Sequence, residues 1–246
     1  MPNSKIEAFK TDDDIKVAAI TTEQMREVDR IAMEETGPNL FQMMENAGRN
    51  FALQAIEVLG GGWQKANIVV LAGLGGNGGG GICAARHLAN RQANVQLALS
   101  NPDGLGEVPA FQRRIFQSTS GREVETSAMP GLRPDLILDA VIGYSLKGAP
   151  RGAVLDFFQW ANNSGAPILS LDVPSGVDST SGQSEGEYIH AEWTMTLALP
   201  KTGLLPEKTG ALFLADIGIP EKVYSNMSLN YTHPFGNRYR VPLSSA

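Results

Sequence analysis

Cysteine is almost absent: Cys83 is the single one in 246 residues. An intrachain disulfide is therefore excluded, as is any zinc site built on several thiolates. Histidine is nearly as scarce, and His87, His190 and His233 follow no metal-ligand spacing. Long apolar runs are missing too. No stretch reaches the ~18 to 20 apolar residues of a membrane helix, so no membrane partner is expected. Basic residues are outnumbered, with 20 Lys and Arg against 26 Asp and Glu and a net charge of −6. Binding along a phosphate backbone needs clustered Lys and Arg, so no nucleic-acid partner is expected. The opening MPNSKIEAFKTDDDIK has no apolar signal core, and its acidic run is wrong for a transit peptide. A cytoplasmic protein is the simplest expectation; an organelle form with its leader removed would read the same.

What is present is the composition of a globular chain, 42% hydrophobic and 19% charged, and long enough to bury a substantial core. Residues 1–19 lack apolar periodicity and read as a flexible arm before a single domain over 20–246. Helical patterning starts near Thr21 and Thr22, both N-cap residue types. It breaks at Gly37–Pro38 and resumes through NLFQMMENAGRNFALQAIEVLG, whose Met and Phe residues recur at helical spacing and read as core. From residue 66 the rhythm changes. ANIVVLAG, ANVQLALS, DLILDAV, APILSLDV and WTMTLAL have the length and composition of buried strands, alternating with helix-length segments at 78–92, 108–120 and 151–164. That alternation predicts βαβ crossovers and an α/β fold with a mostly parallel sheet. ALFLADIG reads as the last strand, and the polar tail NYTHPFGNRYRVPLSSA as a surface wrap or a partly disordered segment.

The most unusual stretch is LAGLGGNGGGGICAARHL, residues 71–88, with six glycines in the seven positions from Gly75 to Gly81. Gly73 to Gly78 fits G-x-G-x-x-G between a strand and a helix. Unobstructed N–H groups at a helix N-terminus suit phosphate oxygens, so phosphate or nucleotide contact is expected. The acidic ribose ligand of an ordinary dinucleotide site is missing, since the next strand ends in Ser100 and Asn101. No Lys-Ser or Lys-Thr follows, so this is not a P-loop.

Ligands of open parallel sheets bind beyond the carboxyl ends of the strands. There the sequence places Asp139, followed by Gly143, Tyr144, Ser145 and Lys147; Asp172, followed by Ser175 and Asp178; and Lys201. Two aspartates and a lysine at one sheet edge are hard to read as caps alone, although Asp178 in GVDSTSG reads equally well as turn chemistry.

MMENAG (43–48), the glycine loop with AARHL, LDAVIGYSLKG (138–148), LDVPSGVD (171–178) and LPKTG (199–203) together resemble the YjeF N-terminal domain family. That family includes NAD(P)H-hydrate epimerase and apolipoprotein A-I-binding protein. The resemblance implies a Rossmann-like three-layer αβα sandwich, commonly dimeric. It implies action on NADHX or NADPHX, reduced nicotinamide cofactors that have added water across a ring double bond. An epimerase would interconvert their R and S forms, and a separate ATP- or ADP-dependent dehydratase would complete the repair. By motif position, Asn77, Asp139 and Ser175 would bind a potassium ion. Gly76, Asn77, Gly78, Gly79, Gly80, Gly143, Tyr144, Ser145, Leu146, Lys147, Gly148, Ala149 and Asp172 would line the substrate site. Asp172 would act as acid and base, with Lys147 or Lys201 tuning it or holding phosphate. Where family epimerases usually read G-N-N-G-G-D-G, this chain has Gly76 and Gly80 in place of the first Asn and the Asp. The alternative is a non-catalytic nucleotide-binding or dimerisation scaffold, since the same fold occurs in mRNA-decapping enhancers. An ordinary NAD-dependent dehydrogenase is disfavoured by the missing ribose acid.

Overall fold

The computed structural model describes residues 5–146 and 148–246. Its strands are β1 Ala8–Thr11, β2 Lys16–Ala18, β3 Asn67–Ala72, β4 Asn94–Leu99, β5 Arg122–Val124, β6 Leu136–Ala140, β7 Ile168–Leu171, β8 Trp193–Leu197, β9 Ala211–Ala215 and β10 Arg240–Ser245. The helices are α1 Thr22–Ile31, α2 Leu40–Leu59, α3 Gly76–Ala89, α4 Glu107–Phe116, α5 Ala153–Asn163, α6 Pro206–Thr209 and α7 Glu221–Asn226. The strands form one sheet in the order β2-β1-β10-β9-β8-β7-β6-β3-β4-β5. From β9 to β5 every pairing is parallel.

Helices cover both faces, and β3 shows why its run is apolar without alternation. Ile68, Val70 and Ala72 pack in one core with Phe51 of α2 and Ile82 and Leu88 of α3. Val69 and Leu71 pack on the other side with Phe157 and Phe158 of α5. The two amphipathic helices start where capping chemistry allows. Thr21 forms a capping box with Gln24, and Asn39 forms one with Gln42, each satisfying N–H groups that a helix end otherwise leaves open.

Both chain ends depart from expectation. Residues 8–18 are not a flexible arm: β1 pairs antiparallel with β10 and with β2, and Phe9 and Val17 are buried. The polar tail supplies β10, which pairs antiparallel with β9, aligning Val241 with Leu214. The physical reason lies in β9. It ends the parallel series and would otherwise present a row of unpaired backbone groups, which β10 covers, with β1 and β2 added outside it. Among the described residues no helix is long and apolar enough to cross a membrane.

The topology also fixes where a ligand can sit. β3 leads through α3 to β4 on one side, while β6 lies against β3 on the other. A crevice opens at such a reversal, outside the carboxyl ends of the strands.

Candidate active site

The glycine run does two jobs. Gly73, Gly78 and Gly81 let α3 sit tightly on the sheet. A Cβ at Gly73 would lie 2.0 Å from the Val141 carbonyl oxygen, one at Gly78 1.9 Å from that of Gly73, and one at Gly81 2.4 Å from the Ala140 Cβ. Gly75 and Gly76 face open space instead. Gly75 is the N-cap of α3 and supplies no side-chain cap, so the N–H groups of the first turn stay available to an incoming acceptor.

Beside that helix end lies a cavity of about 300 Å³. Its apolar wall comes from α1, α2 and the segment between them, through Met25, Met33, Met43 and Met44. Met43 and Met44 are buried, as core spacing implies, and also form this wall. The polar side comes from the strand ends and the glycine loop, with Asn77, Gly80, Tyr144, Asp172 and Lys201.

Asp172 follows β7 with a left-handed φ of 68°, a conformation that Asp and Asn tolerate better than most residues. Lys201, whose side chain is buried, forms an ion pair with Asp172 Oδ1. Its Nζ also donates to Thr196 Oγ1 at 3.3 Å and to the Leu197 carbonyl at 2.9 Å. An ammonium has three protons, and these contacts use all of them. Lys201 is thus tied to Asp172, Thr196 and the Leu197 carbonyl. Asp172 Oδ2 accepts the Tyr144 backbone N–H at 3.1 Å. A Cβ at Gly143 would lie 3.1 Å from both this oxygen and Asn77 Oδ1, so only glycine leaves the gap between them open.

Behind the cavity, Asp139 is wholly buried at the end of β6. It accepts from Ser175 Oγ at 2.6 Å, Ser175 N at 2.9 Å, Ser170 Oγ at 2.8 Å and Val141 N at 3.2 Å. Burial pushes its carboxyl above the usual range against the opposing pull of these bonds. No cationic side chain contacts it among the described residues. Nearby, Asn77 Nδ2 is buried without a hydrogen-bond partner.

Asp29 is a cavity residue that is not legible in the sequence. It projects from α1 onto the cavity, and Tyr144 Oη donates to its Oδ2 at 2.5 Å. Burial raises the Asp29 carboxyl above its ordinary range, and burial followed by the Asp29 charge raises the Tyr144 hydroxyl. An acid within an amphipathic helix carries no local signal of a site; only packing brings it here.

Of the expected substrate residues, Gly76, Asn77, Gly80, Gly143, Tyr144, Ser145 and Asp172 line the cavity. Gly78, Gly79, Leu146, Gly148 and Ala149 do not: the first two pack α3 against its neighbours, while Gly148 and Ala149 are exposed in the following loop. Lys147 lies outside the described residues. Of the expected ion ligands, Asp139 and Ser175 bond directly to each other, and Asn77 stands on the cavity beside Gly143 and Asp172. Asp178 is turn chemistry, its Oδ1 accepting from Ser181 N at 2.7 Å and Thr180 N at 3.1 Å. His87 meets Glu45 and Cys83 in space, but the Arg86 guanidinium already lies on both Glu45 and Cys83 and fills the place of a cation.

The family model described as YjeF-related protein N-terminus matches residues 40–203. The chain belongs to this family. Among curated relatives, the NAD(P)H-hydrate epimerase of Dehalogenimonas lykanthroporepellens is 48% identical over 239 residues, covering 97% of this chain and 98% of that protein. Enhancer of mRNA-decapping protein 3 from Gallus gallus is 31% identical over 258 residues, covering 100% of this chain and 48% of its own length. The crystal structure of yeast ynu0, YNL200c, has a TM-score of 0.76 at 22% identity, covering 92% of this chain and 100% of that one. That likeness confirms the fold: an α/β sandwich with a mostly parallel sheet.

Proposed function

We infer that this member of the family is an NAD(P)H-hydrate epimerase, interconverting the R and S forms of NAD(P)HX. The observation that carries the reading is Asp172, held by Lys201 at the edge of a cavity whose other side is an uncapped helix N-terminus. The near full-length relative that bears the same name supports it. The free N–H groups of α3 suit the diphosphate. The methionine wall suits the flat nicotinamide ring, and the cavity volume lies at the small end of ligand sites. In the hydrated ring the hydroxyl-bearing carbon neighbours the ring nitrogen. Protonating that hydroxyl lets the nitrogen lone pair expel water, and re-addition from the other face inverts the centre. Asp172 is the acid–base group. Lys201 orients it, while Asn77, Gly143 and Tyr144 shape the space before it. R-NADHX mixed with the protein and followed by chromatography should approach its R/S equilibrium faster than in buffer; folded protein with no acceleration would sink this reading.

Potassium fits the residues behind the site. A wholly buried carboxylate with no cationic side chain in contact among the described residues is what a cation held by the side-chain oxygens of Asn77, Asp139 and Ser175 would relieve. When bound, the ion supplies fixed positive charge beside the glycine loop. Replacing choline by potassium at about 100 times its Kd should raise the melting temperature by roughly 5 °C or more. No difference between the two salts would contradict the site.

The reading also includes a homodimer and a separate ATP- or ADP-dependent dehydratase as the next enzyme, as the resemblance implies. A lone unpaired cysteine is in keeping with the cytoplasm. A scaffold without catalysis is the second reading, favoured by the match to a decapping enhancer along the whole chain and by Gly80. A Cβ at Gly80 would meet Leu171 Cδ2 at 2.7 Å, so Leu171 stands where a side chain at that position would begin.

A further inference from the structure

Among the described residues lining the cavity there are two carboxyls, Asp172 and Asp29. Gly80 adds none. Tyr144 joins them: its backbone N–H donates to Asp172 Oδ2 at 3.1 Å and its hydroxyl to Asp29 Oδ2 at 2.5 Å. The carboxyls thus stand at opposite ends of one tyrosine, one on the strand-end side and one on the helical wall. Asp172 is paired with Lys201, whereas Asp29 has no ion pair among the described residues.

Inverting a ring carbon requires water to leave from one face and return to the other. A single fixed carboxyl reaches one face well; two on different walls reach both. We propose that Asp29 is a second catalytic acid–base group, serving one face of the hydrated nicotinamide ring while Asp172 serves the other. This rests on the epimerase reading given above.

In one direction, protonated Asp29 gives its proton to the ring hydroxyl. The C–O bond breaks with its electron pair leaving on water, and the nitrogen lone pair forms a C=N bond. A water molecule then forms a new C–O bond on the opposite face and passes a proton to Asp172 as the nitrogen recovers its pair. The two carboxyls finish with exchanged protonation states. Turnover in the other direction, or proton exchange with solvent, resets them, and nothing is oxidised or reduced.

The surroundings of Asp29 agree with the role. Burial lifts its carboxyl, the Tyr144 hydroxyl and the Lys201 charge oppose this, and the Asp172 charge adds to it. Arg26, one turn earlier on α1, acts on Tyr144, and Tyr224 of α7 completes the titratable groups around the pair. Two carboxyls in unlike environments are how one site keeps an acid and a base together.

The test is Asp29→Asn in the full chain, with kcat and KM measured on R-NADHX and folding checked by thermal melting. The expected result is kcat lower by about 100-fold or more with KM within about threefold. A kcat within about threefold of wild type overturns the proposal. If Asp29→Asn does not fold, Tyr144→Phe decides. Losing the hydroxyl that stabilises the Asp29 anion should move the alkaline limb of kcat up by about one pH unit, and an unmoved limb overturns the proposal. Inactive wild-type protein overturns the epimerase reading and this inference with it. Active wild type with an unaffected Asp29→Asn overturns this inference alone.

Discussion

Asp172→Asn is expected to fold, to keep its affinity for the hydrated cofactor, and to lower kcat by about 10²- to 10⁴-fold. Asparagine is the informative replacement because of the backbone. At φ 68° most side chains would strain residue 172, whereas Asn accepts the left-handed region nearly as well as Asp. The amide oxygen can still accept from Lys201, whose Thr196 and Leu197 contacts are untouched. What disappears is the ability to take up and return a proton. Kinetic constants separate the outcomes: a fall confined to kcat marks loss of the proton carrier, and a rise confined to KM marks a binding role. A scaffold predicts neither, since its biological activity would survive Asp172→Asn intact.

Lys201→Met is expected to be the more damaging change to the molecule as a whole. It removes the one ion-pair partner, among the described residues, of a carboxylate that is itself almost fully buried. Breaking a buried pair from one side costs about 3–5 kcal/mol, because the remaining charge stays out of water without compensation. For a chain of this size that corresponds to a melting temperature lower by about 6–20 °C. Activity should fall with it, since among the described residues the other contacts to Asp172 Oδ1, from Thr196 Oγ1 and Leu197 N, are both long, at 3.4 Å. Thermal melting beside the equilibration assay reads both effects. A variant as stable as wild type would show that Lys201 is not the counter-charge described above.

The strand-end residues are legible because each follows a short apolar run, and a parallel sheet delivers such residues to one edge. Asp139, Asp172, Ser175 and Lys201 are found this way, and Asn77 through the glycine loop. The division of labour among the glycines is not legible, since Gly76 facing solvent and Gly78 pressed on a carbonyl oxygen look alike in sequence. The partition of roles between Lys147 and Lys201 is also silent there; what the structure adds is three acceptors around Lys201 Nζ, Asp172 among them. Asp29 and the methionine wall escape for a different reason. Amphipathic periodicity says which face of α1 and α2 is buried, not that a gap remains between that face and the sheet. The terminal strands fail locally. β1 and β2 are four and three residues long, too short for a period to show. β10 carries Pro242 in a polar tail, a residue that argues against an interior strand. Only their long-range pairing creates them.

In the proposed reaction the hydrated nicotinamide carbon is inverted through Asp172, in the cavity between α3 and the ends of β6, β7 and β8. The most direct measurement starts from pure R-NADHX and follows the R/S ratio by chromatography with wild-type protein, Asp172→Asn, and buffer alone. Wild type is expected to reach the equilibrium ratio while the other two still lag together. Wild type no faster than buffer, or Asp172→Asn as fast as wild type, would contradict it.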